Sequence, residues 1–272
     1  MVEAKGLICC DLDGTLLLPD KTMGKASRQA LEDAVAAGLV CAISSGRHPF
    51  NVFELMDGLG LPRTCVCLSG AATFVDGALI RIIPLGLPAV RSAIAVAAGE
   101  GAYVSVGGAD FNAVCGQISR GKESAASAFS RYLVVESYEE LEEYASKREG
   151  KLLKLAMHAK DQAQYERLRE SLSRVDGVRC ARSDVNWLDV TAVSCSKAAG
   201  IRALADYLGI PVSRVAVLGD DENDIEAIAE AGIGIAMGNA IPEAKAVASL
   251  VVGDNAHDGA AEGIRAAVAQ LR

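Results

Sequence analysis

Short apolar runs that alternate with alanine-rich stretches constrain the fold of this 272-residue chain more than any other feature. Leu7–Cys10, Val40–Ser44 and Val215–Leu218 are almost wholly apolar, as expected for strands that are buried on both faces. The alanine-rich stretches Lys25–Ala37 and Lys197–Leu208 are predicted to be helices. Such strands, separated by helices, form parallel sheets that helices cover on both sides. The predicted fold class is therefore α/β, with a doubly wound, Rossmann-like parallel sheet.

The middle of the chain differs from its two ends in the composition and order of its helical and strand-like stretches. Charged helical stretches such as Tyr138–Arg148 alternate there with strand-like runs such as Leu152–Met157. We predict that this part is a second α/β unit, inserted into the parent sheet. The core would comprise residues 1–83 and 188–272, and the inserted unit would comprise residues 84–187.

Charge and composition argue against several classes of function. Acidic residues number 35 and basic residues 27, and the net charge of −8 disfavours binding to nucleic acid or to an anionic membrane surface. No apolar run approaches the roughly 18 residues that span a bilayer, and the N-terminus lacks a signal-peptide pattern, so we expect a cytoplasmic protein. The three histidines are scattered and no Cys-x-x-Cys pair is present, which gives a zinc hydrolase little support.

Two carboxylates follow the first predicted strand, in Asp11-Leu12-Asp13-Gly14-Thr15. Open parallel sheets bind their ligands at this end of the strands. Aspartate and glycine also favour plain turns. However, like charges about 4 Å apart repel by roughly 4 kcal/mol at an effective dielectric constant near 20, and a bound cation would remove that repulsion. We therefore favour a functional site over a turn.

A denser acidic group, Gly219-Asp220-Asp221-Glu222-Asn223-Asp224, follows another apolar strand. A helix N-terminus would account for Asp221 and Glu222, because the helix macrodipole favours acids there. It does not account for so many acids beside a sheet edge that also holds Asp11 and Asp13. Oxygen ligands without histidine or cysteine suit Mg²⁺.

Two further groups fall in the same order along the chain. Ser44-Ser45-Gly46-Arg47 follows the second predicted strand, and Lys197 begins a predicted helix. By itself, each would be interpreted as a surface residue or a helix cap. Together with the acids, they resemble the four motifs of the haloacid dehalogenase superfamily. The inserted unit between Ser45 and Lys197 resembles that of its Cof-type branch of sugar-phosphate phosphatases.

The end of the chain supports the same resemblance. Ile235–Ala240 and Asp258-Gly259 are similar to the closing segments of the Cof-type branch. There are also two departures. Many relatives have Asn-Gly-Ala where this chain has Ser69-Gly70-Ala71, and the motif lysine is often followed by glycine, where this chain has Ala198.

The resemblance implies a Mg²⁺-dependent phosphatase of small phosphorylated metabolites, sugar phosphates first, that forms an aspartyl phosphate. It makes Asp11 the nucleophile and Asp13 the general acid and base. Ser45 and Lys197 would hold the transferring phosphoryl group, and the inserted unit would be a mobile cap. Further residues implied for the phosphate are Leu12, Gly46, Arg47 and Asn223. The residues implied for Mg²⁺ are Asp11, Asp13 through its backbone carbonyl, Asp220 and Asp224.

Other interpretations remain open. Relatives with similar cores act as phosphomutases or phosphotransferases, in which case a second sugar phosphate would appear in place of free phosphate. A non-catalytic sensor of phosphorylated metabolites is a third possibility, although it has no need of Asp13. Pyridoxal phosphate and nucleotides stay open as substrates. In each case the expected partner is a small phosphorylated metabolite, with no nucleic acid and no membrane, and the chain is expected to be a monomer or a homodimer.

Overall fold

The computed structural model describes residues 4–116 and 132–272. These residues form two β-sheets, each with helices packed on it. The strands in chain order are β1 Leu7–Cys10, β2 Val40–Ser44, β3 Cys65–Cys67, β4 Ala72–Val75, β5 Ala78–Ile82, β6 Tyr103–Gly107, β7 Asn112–Cys115, β8 Leu133–Val134, β9 Lys154–His158, β10 Val178–Asp184, β11 Trp187–Ala192, β12 Val215–Gly219, β13 Ile233–Ala236 and β14 Leu250–Val251. The described α-helices are α1 Lys25–Ala36, α2 Pro49–Leu59, α3 Leu87–Glu100, α4 Tyr138–Ser146, α5 Gln162–Leu172, α6 Lys197–Leu208, α7 Ile225–Glu230, α8 Pro242–Val247 and α9 Gly259–Leu271.

The first sheet is the predicted α/β core. Its eight strands lie in the order β14-β13-β12-β1-β2-β3-β4-β5, and all neighbours from β14 to β3 are parallel. Strand β1 lies between β12 and β2, and all four of its residues are buried. Helix α1 packs on α9 and β2, while α6 packs on α7, β3 and β4. The predicted fold class, a doubly wound parallel sheet in an α/β core, is confirmed.

One edge of this sheet departs from the predicted parallel arrangement. Strand β4 runs antiparallel to β3, and β5 runs antiparallel to β4. The two residues between β4 and β5 are Asp76 and Gly77, whose φ angles are +49° and +82°. Positive φ at both positions is the signature of a type I′ hairpin turn, which the Asp-Gly pair favours. The hairpin adds two antiparallel strands to a sheet that is otherwise parallel.

The second sheet belongs to the inserted unit. Its strands lie in the order β10-β11-β9-β6-β7-β8, with only the β7–β8 pair parallel, and helices α3, α4 and α5 pack together beside it. Strand β11 pairs with β9 as far as Thr191 and with β10 as far as Ala192. The boundary expected between residues 187 and 188 therefore falls inside a strand of the second sheet. We propose a division after Ala192 instead, because a strand folds with the strands to which it is hydrogen-bonded.

Cysteines contribute to the core as small apolar side chains. All eight are free thiols, and seven of them are buried. In the two described parts of the chain, no helix combines the length and the apolar character needed to cross a bilayer.

Candidate active site

The carboxyl ends of three neighbouring strands bring predicted residues to one edge of the core sheet. Asp11 follows β1, Ser45 follows β2 and Asp220 follows β12. These strands lie side by side in the order β12-β1-β2 and are parallel, so their ends coincide. Lys197 reaches the same edge as the first residue of α6, a helix that the Ser196 side chain caps.

Lys197 is a buried cation between two buried carboxylates. Its Nζ donates hydrogen bonds to Oδ1 of Asp11 and to Oδ1 of Asp224, each at 2.7 Å. Only 1% of its side chain is exposed. Burial alone would lower the pKa of this lysine, but the two carboxylates raise it above its usual value. Lys197 is therefore charged, and it offsets part of the repulsion between the acids around it.

Three carboxylates form a cluster at the centre of this edge. One oxygen each from Asp11, Asp220 and Asp224 lies within 4.8 Å of the others. Burial raises the pKa of Asp11 and of Asp220, and neighbouring carboxylates raise both further, while Lys197 opposes the shift. Three carboxyl groups thus share one ammonium group, and all the donors are oxygens. The cluster could hold a divalent metal ion that prefers oxygen ligands.

The turn after β1 allows the two acidic groups of the sequence to meet. Residues Leu12–Leu16 form a short π-helical turn, in which Gly14 has a φ of +81°. A side chain at Gly14 would collide with the Asp220 carboxylate. The next residue, Thr15, donates its hydroxyl proton to Oδ1 of Asp220 at 2.8 Å. Glycine followed by threonine therefore fixes Asp220 against the turn that begins at Asp11.

We expect Gly14→Ala to destabilise the fold more than Gly60→Ala does. Both glycines have positive φ angles, +81° and +68°, so alanine adds backbone strain of about 1–2 kcal/mol at either position. At Gly60 no atom lies within 4 Å of the added carbon, whereas at Gly14 the Asp220 carboxylate must move. Denaturant unfolding of the two variants measures the difference. Equal losses in the free energy of unfolding would contradict the close approach of Gly14 to Asp220.

Asp13 has a different set of partners. Arg47 donates to both of its carboxylate oxygens, from Nε and from Nη2, at 2.7 Å each. Lys21 Nζ lies 2.6 Å from Oδ1 of the same carboxylate. Burial alone would raise the pKa of Asp13, but Arg47 and Lys21 lower it to about 2. The Asp13 carboxylate is therefore ionised and outside the three-acid cluster, so its predicted metal contact depends on its backbone carbonyl.

A cavity of about 350 Å³ lies between the core and the inserted unit. Asp11, Asp13 and Ser45 line it from the core, and Tyr103 and Trp187 line it from the second sheet. Its volume falls at the small end of the range for small-molecule sites, which is about 300–1,000 Å³. Other polar residues in the lining include Asn51, Ser105, Asn112, Ser183 and Asp184.

A buried ion pair of the inserted unit forms another part of the lining. Lys154 Nζ lies 2.5 Å from Oδ2 of Asp189 and donates to the backbone carbonyl of Gly46 at 2.7 Å. Ser69 and Ser183 donate their hydroxyl protons to Asp189. Lys154 and Asp189 were not predicted, because each is a single charged residue in a strand without a motif around it. Ser69 was noticed only as a departure from the family pattern.

The structure brings nearly all the predicted site residues to one place. Lys197 bonds to Asp11 and Asp224, and one oxygen each from Asp11, Asp220 and Asp224 lies within 4.8 Å of the others. Leu12 is the exception, because its side chain is fully buried and does not line the cavity, so only its backbone is available to a ligand. The predicted residues that line the cavity are Asp11, Asp13, Ser45, Gly46, Arg47 and Asn223.

The sequence matches the family of haloacid dehalogenase-like hydrolases over residues 8–264, nearly the whole chain. The chain belongs to this family. The resemblance indicated by the four motifs is thereby confirmed. Within the family fold, the inserted unit occupies the position of the cap domain, and we call it the cap from here on.

Several curated relatives of this haloacid dehalogenase-like hydrolase are phosphatases that it matches over most of their length. A pyridoxal phosphate phosphatase of Escherichia coli is 27% identical, over 94% of this chain and 96% of that protein. A 5-amino-6-(5-phospho-D-ribitylamino)uracil phosphatase of Bacillus subtilis is 25% identical, over 95% of this chain and 94% of that protein. An HMP-PP phosphatase of Cronobacter sakazakii is 26% identical, over 86% of this chain and 84% of that protein. The predicted enzyme class, a phosphoric monoester hydrolase of Cof type, is confirmed.

Solved structures of the family share the fold. A haloacid dehalogenase-like hydrolase of Bacillus subtilis has a TM-score of 0.85 at 21% identity, and the match covers 96% of this chain and 99% of that one. A phosphatase of the same superfamily from Bacteroides thetaiotaomicron has a TM-score of 0.78 at 24% identity, and the match covers 98% of this chain and 96% of that one. Both chains match the core and the cap together.

Proposed function

We propose that this chain is a Mg²⁺-dependent phosphatase that hydrolyses phosphate monoesters of small metabolites through an aspartyl phosphate on Asp11. The observation that carries the proposal is the position of the Asp11 carboxylate. It lines the cavity under the cap, accepts a hydrogen bond from charged Lys197 and lies within 4.8 Å of two further carboxylates. A nucleophile, a fixed positive charge and a cluster suited to a metal ion therefore meet at one point.

The donor set fits Mg²⁺. The cluster consists of carboxylates alone, and these are the donors that Mg²⁺ prefers in proteins. Asp11, Asp220 and Asp224 would hold the ion, together with the backbone carbonyl of Asp13. Bound Mg²⁺ would neutralise charge on the phosphoryl group, which otherwise repels an anionic nucleophile.

In the first half-reaction, a carboxylate oxygen of Asp11 attacks phosphorus, and the bond between phosphorus and the ester oxygen breaks. Asp13 donates a proton to the leaving oxygen, so that the product departs as a neutral alcohol. Ser45 and Lys197 hold the oxygens of the transferring phosphoryl group. Because the Lys197 ammonium is already fixed by two hydrogen bonds, it need not reorganise as charge develops.

The contacts of Asp13 place a condition on that step. Arg47 and Lys21 occupy both of its carboxylate oxygens in this structure. A substrate phosphate carries the same type of charge and competes for the same two cations. Transfer of Arg47 and Lys21 to the substrate would remove the two contacts that lower the pKa of Asp13. The Asp13 carboxylate could then take up a proton from solvent and face the leaving oxygen as the acid.

In the second half-reaction, Asp13 takes a proton from a water molecule whose oxygen attacks the phosphorus of the aspartyl phosphate. The bond between Asp11 and phosphorus breaks, and the products are inorganic phosphate and the free carboxylate. The cap covers the cavity from the side opposite Asp11, so it limits the access of other water during both steps.

The size and lining of the cavity favour a small substrate with several hydroxyl groups. Asn51, Asn112 and Ser183 line it and can hydrogen-bond to sugar hydroxyls. A sugar phosphatase of haloacid dehalogenase subclass IIB also shares the fold, with a TM-score of 0.81 at 22% identity. We place sugar phosphates first. Pyridoxal phosphate comes second, because of the relative at 27% identity and of the rings of Tyr103 and Trp187 in the lining. The eight free thiols agree with the reducing cytoplasm as the proposed location.

A phosphomutase is the second candidate, because a sugar bound near the aspartyl phosphate could accept the phosphoryl group in place of water. The test is an assay of the full-length protein against a panel of sugar, nucleotide and cofactor phosphates, with Mg²⁺ or with a chelator. Free phosphate that appears only with Mg²⁺ supports the phosphatase. A second sugar phosphate without free phosphate would indicate the mutase, and the absence of both products would contradict both candidates.

A further inference from the structure

Acidic residues beside the three-acid cluster are paired with arginines of the cap. Arg169 on α5 donates to both carboxylate oxygens of Glu222, at 2.8 and 2.7 Å. Arg182 on β10 donates to Oδ1 of Asp221 through Nε and Nη2, at 2.9 and 2.7 Å. We call these two ion pairs the arginine clasp. Each joins a residue of the cap to a residue of the core.

The clasp is attached to the loop that carries Asp220 and Asp224. Asp221 accepts a hydrogen bond from the backbone N–H of Glu222 at 2.7 Å. Asp224 Oδ2 accepts from the backbone N–H groups of Asp220 and Asp221, at 3.2 and 3.3 Å. Glu222 also accepts from the backbone N–H of Arg182 at 3.1 Å. The same short loop is therefore hydrogen-bonded to the active site on one side and to the cap on the other.

This arrangement accounts for the density of acids in the segment. Asp220 and Asp224 face Asp11, whereas Asp221 and Glu222 face the cap. A helix N-terminus on its own would explain acids at these positions but would not require arginines opposite them.

We propose that Arg169 and Arg182 are positioning residues that act through Asp221 and Glu222. They hold the loop at the place where Asp220 and Asp224 meet Asp11, so the cap helps to assemble the catalytic core as well as cover it. The part of this inference that concerns Mg²⁺ rests on the proposed function. The part that concerns the order of the loop does not.

The exposure of the clasp indicates what kind of effect to expect. The side chains of Arg169 and Glu222 are 41% and 29% exposed, and those of Arg182 and Asp221 are 37% and 15% exposed. Ion pairs at such sites add little to global stability, because water screens them. Paired nitrogen donors do fix orientation, and residues that support metal ligands typically change metal affinity by about 10–100-fold. Loss of the clasp should therefore change the order of the loop and the affinity for Mg²⁺ more than it changes the unfolding midpoint.

The test compares the double variant Arg169→Gln/Arg182→Gln with a matched control, Arg167→Gln. Arg167 lies on the same helix, α5, and makes a similar paired contact with Glu100, at 3.0 and 2.8 Å, but that contact is wholly within the cap. Three quantities are measured for each full-length protein. They are the hydrogen exchange of the amides of residues 219–226 without metal, the Mg²⁺ dissociation constant by calorimetry, and kcat and KM for phosphate release.

In the double variant we expect faster amide exchange in residues 219–226 and a rise of about tenfold in the Mg²⁺ dissociation constant. At subsaturating Mg²⁺, kcat should fall because fewer active sites hold the ion, and it should recover as the Mg²⁺ concentration approaches saturation. The control should stay within about twofold of the unaltered chain in every quantity, since surface substitutions of this type have small effects. Unchanged exchange and unchanged Mg²⁺ affinity in the double variant would overturn the proposal.

Glu222→Gln provides a second test if the double variant does not fold. It keeps the shape and one oxygen acceptor but removes the charge that Arg169 binds, and we expect the same direction of change in exchange and in Mg²⁺ affinity. Values equal to those of the unaltered chain would again overturn the proposal. If the unaltered chain neither binds Mg²⁺ nor releases phosphate, the proposed function fails, and amide exchange alone then decides whether the clasp orders the loop.

Discussion

Asp11→Asn is expected to lower kcat for phosphate release by a factor of about 10⁴ or more, because a neutral amide cannot replace the carboxylate as nucleophile. The substitution is isosteric, and it removes one of the three clustered negative charges, so the fold should be retained. Steady-state phosphate release at saturating Mg²⁺ measures the loss. Quenched single-turnover digests analysed by mass spectrometry should show a phosphoryl group on the Asp11 peptide of the unaltered chain and none on the variant.

Asp57→Asn is the matched control for this prediction. Asp57 makes an ion pair with Arg63 on the surface, where about half of each side chain is exposed. The control should change kcat by less than about twofold, as is usual for surface positions. A variant at Asp11 that kept more than a few per cent of the activity, with asparagine verified at that position, would falsify the role of Asp11 as nucleophile.

Lys197→Met is expected to have the second largest effect. It should lower both the free energy of unfolding and the rate of phosphate release. In the absence of metal it leaves buried carboxylates without their shared cation, and breaking a buried ion pair in this way costs about 3–5 kcal/mol in the free energy of unfolding. Lys197 has 1% of its side chain exposed and bonds to both Asp11 and Asp224, so its removal leaves two buried carboxylates without this partner at once. Phosphate release should also fall by about 10²–10³, the loss seen when a fixed donor to a developing charge is removed.

Denaturant unfolding with a chelator and with Mg²⁺ tests the origin of the instability. Because Mg²⁺ would bind the same carboxylates, it should restore part of the lost stability in Lys197→Met, although it should not restore activity. Lys147→Met serves as the control, since Lys147 pairs with Glu143 on an exposed helix face. Equal midpoints for Lys197→Met and the control would show that the buried acids do not depend on this lysine.

The site residues that could be predicted from the sequence are mainly those that directly follow a strand. Asp11, Ser45 and Asp220 each follow a short apolar strand, and parallel neighbours bring such positions together whatever the rest of the fold does. The same logic predicted the core sheet. It missed the antiparallel edge, although Asp76-Gly77 carries a local hairpin signal, because β4 and β5 are short and β5 is half exposed.

The contribution of the cap could not be read from the sequence in the same way. Lys154 reaches the carbonyl of Gly46 across 108 positions of the chain, and Arg169 reaches Glu222 across 53. Such contacts depend on how the cap and the core pack against each other. A single lysine or arginine in a strand or helix has no sequence pattern around it that identifies the residue it will contact. For the same reason the sequence did not show that the strand Trp187–Ala192 pairs in the second sheet, and this pairing is the ground for the division that we propose after Ala192.

The central place of β1 in the core sheet has a consequence for biosynthesis. One side of β1 pairs with β2, which the ribosome makes soon afterwards, while the other side pairs with β12, about 200 residues later. Until β12 emerges, the apolar edge of β1 has no partner and could pair with another nascent chain. The cap, by contrast, draws all six strands of its sheet from one continuous segment and can fold on the ribosome before the core is complete. Nascent chains should therefore depend on chaperones until β12 has emerged from the ribosome and paired with β1.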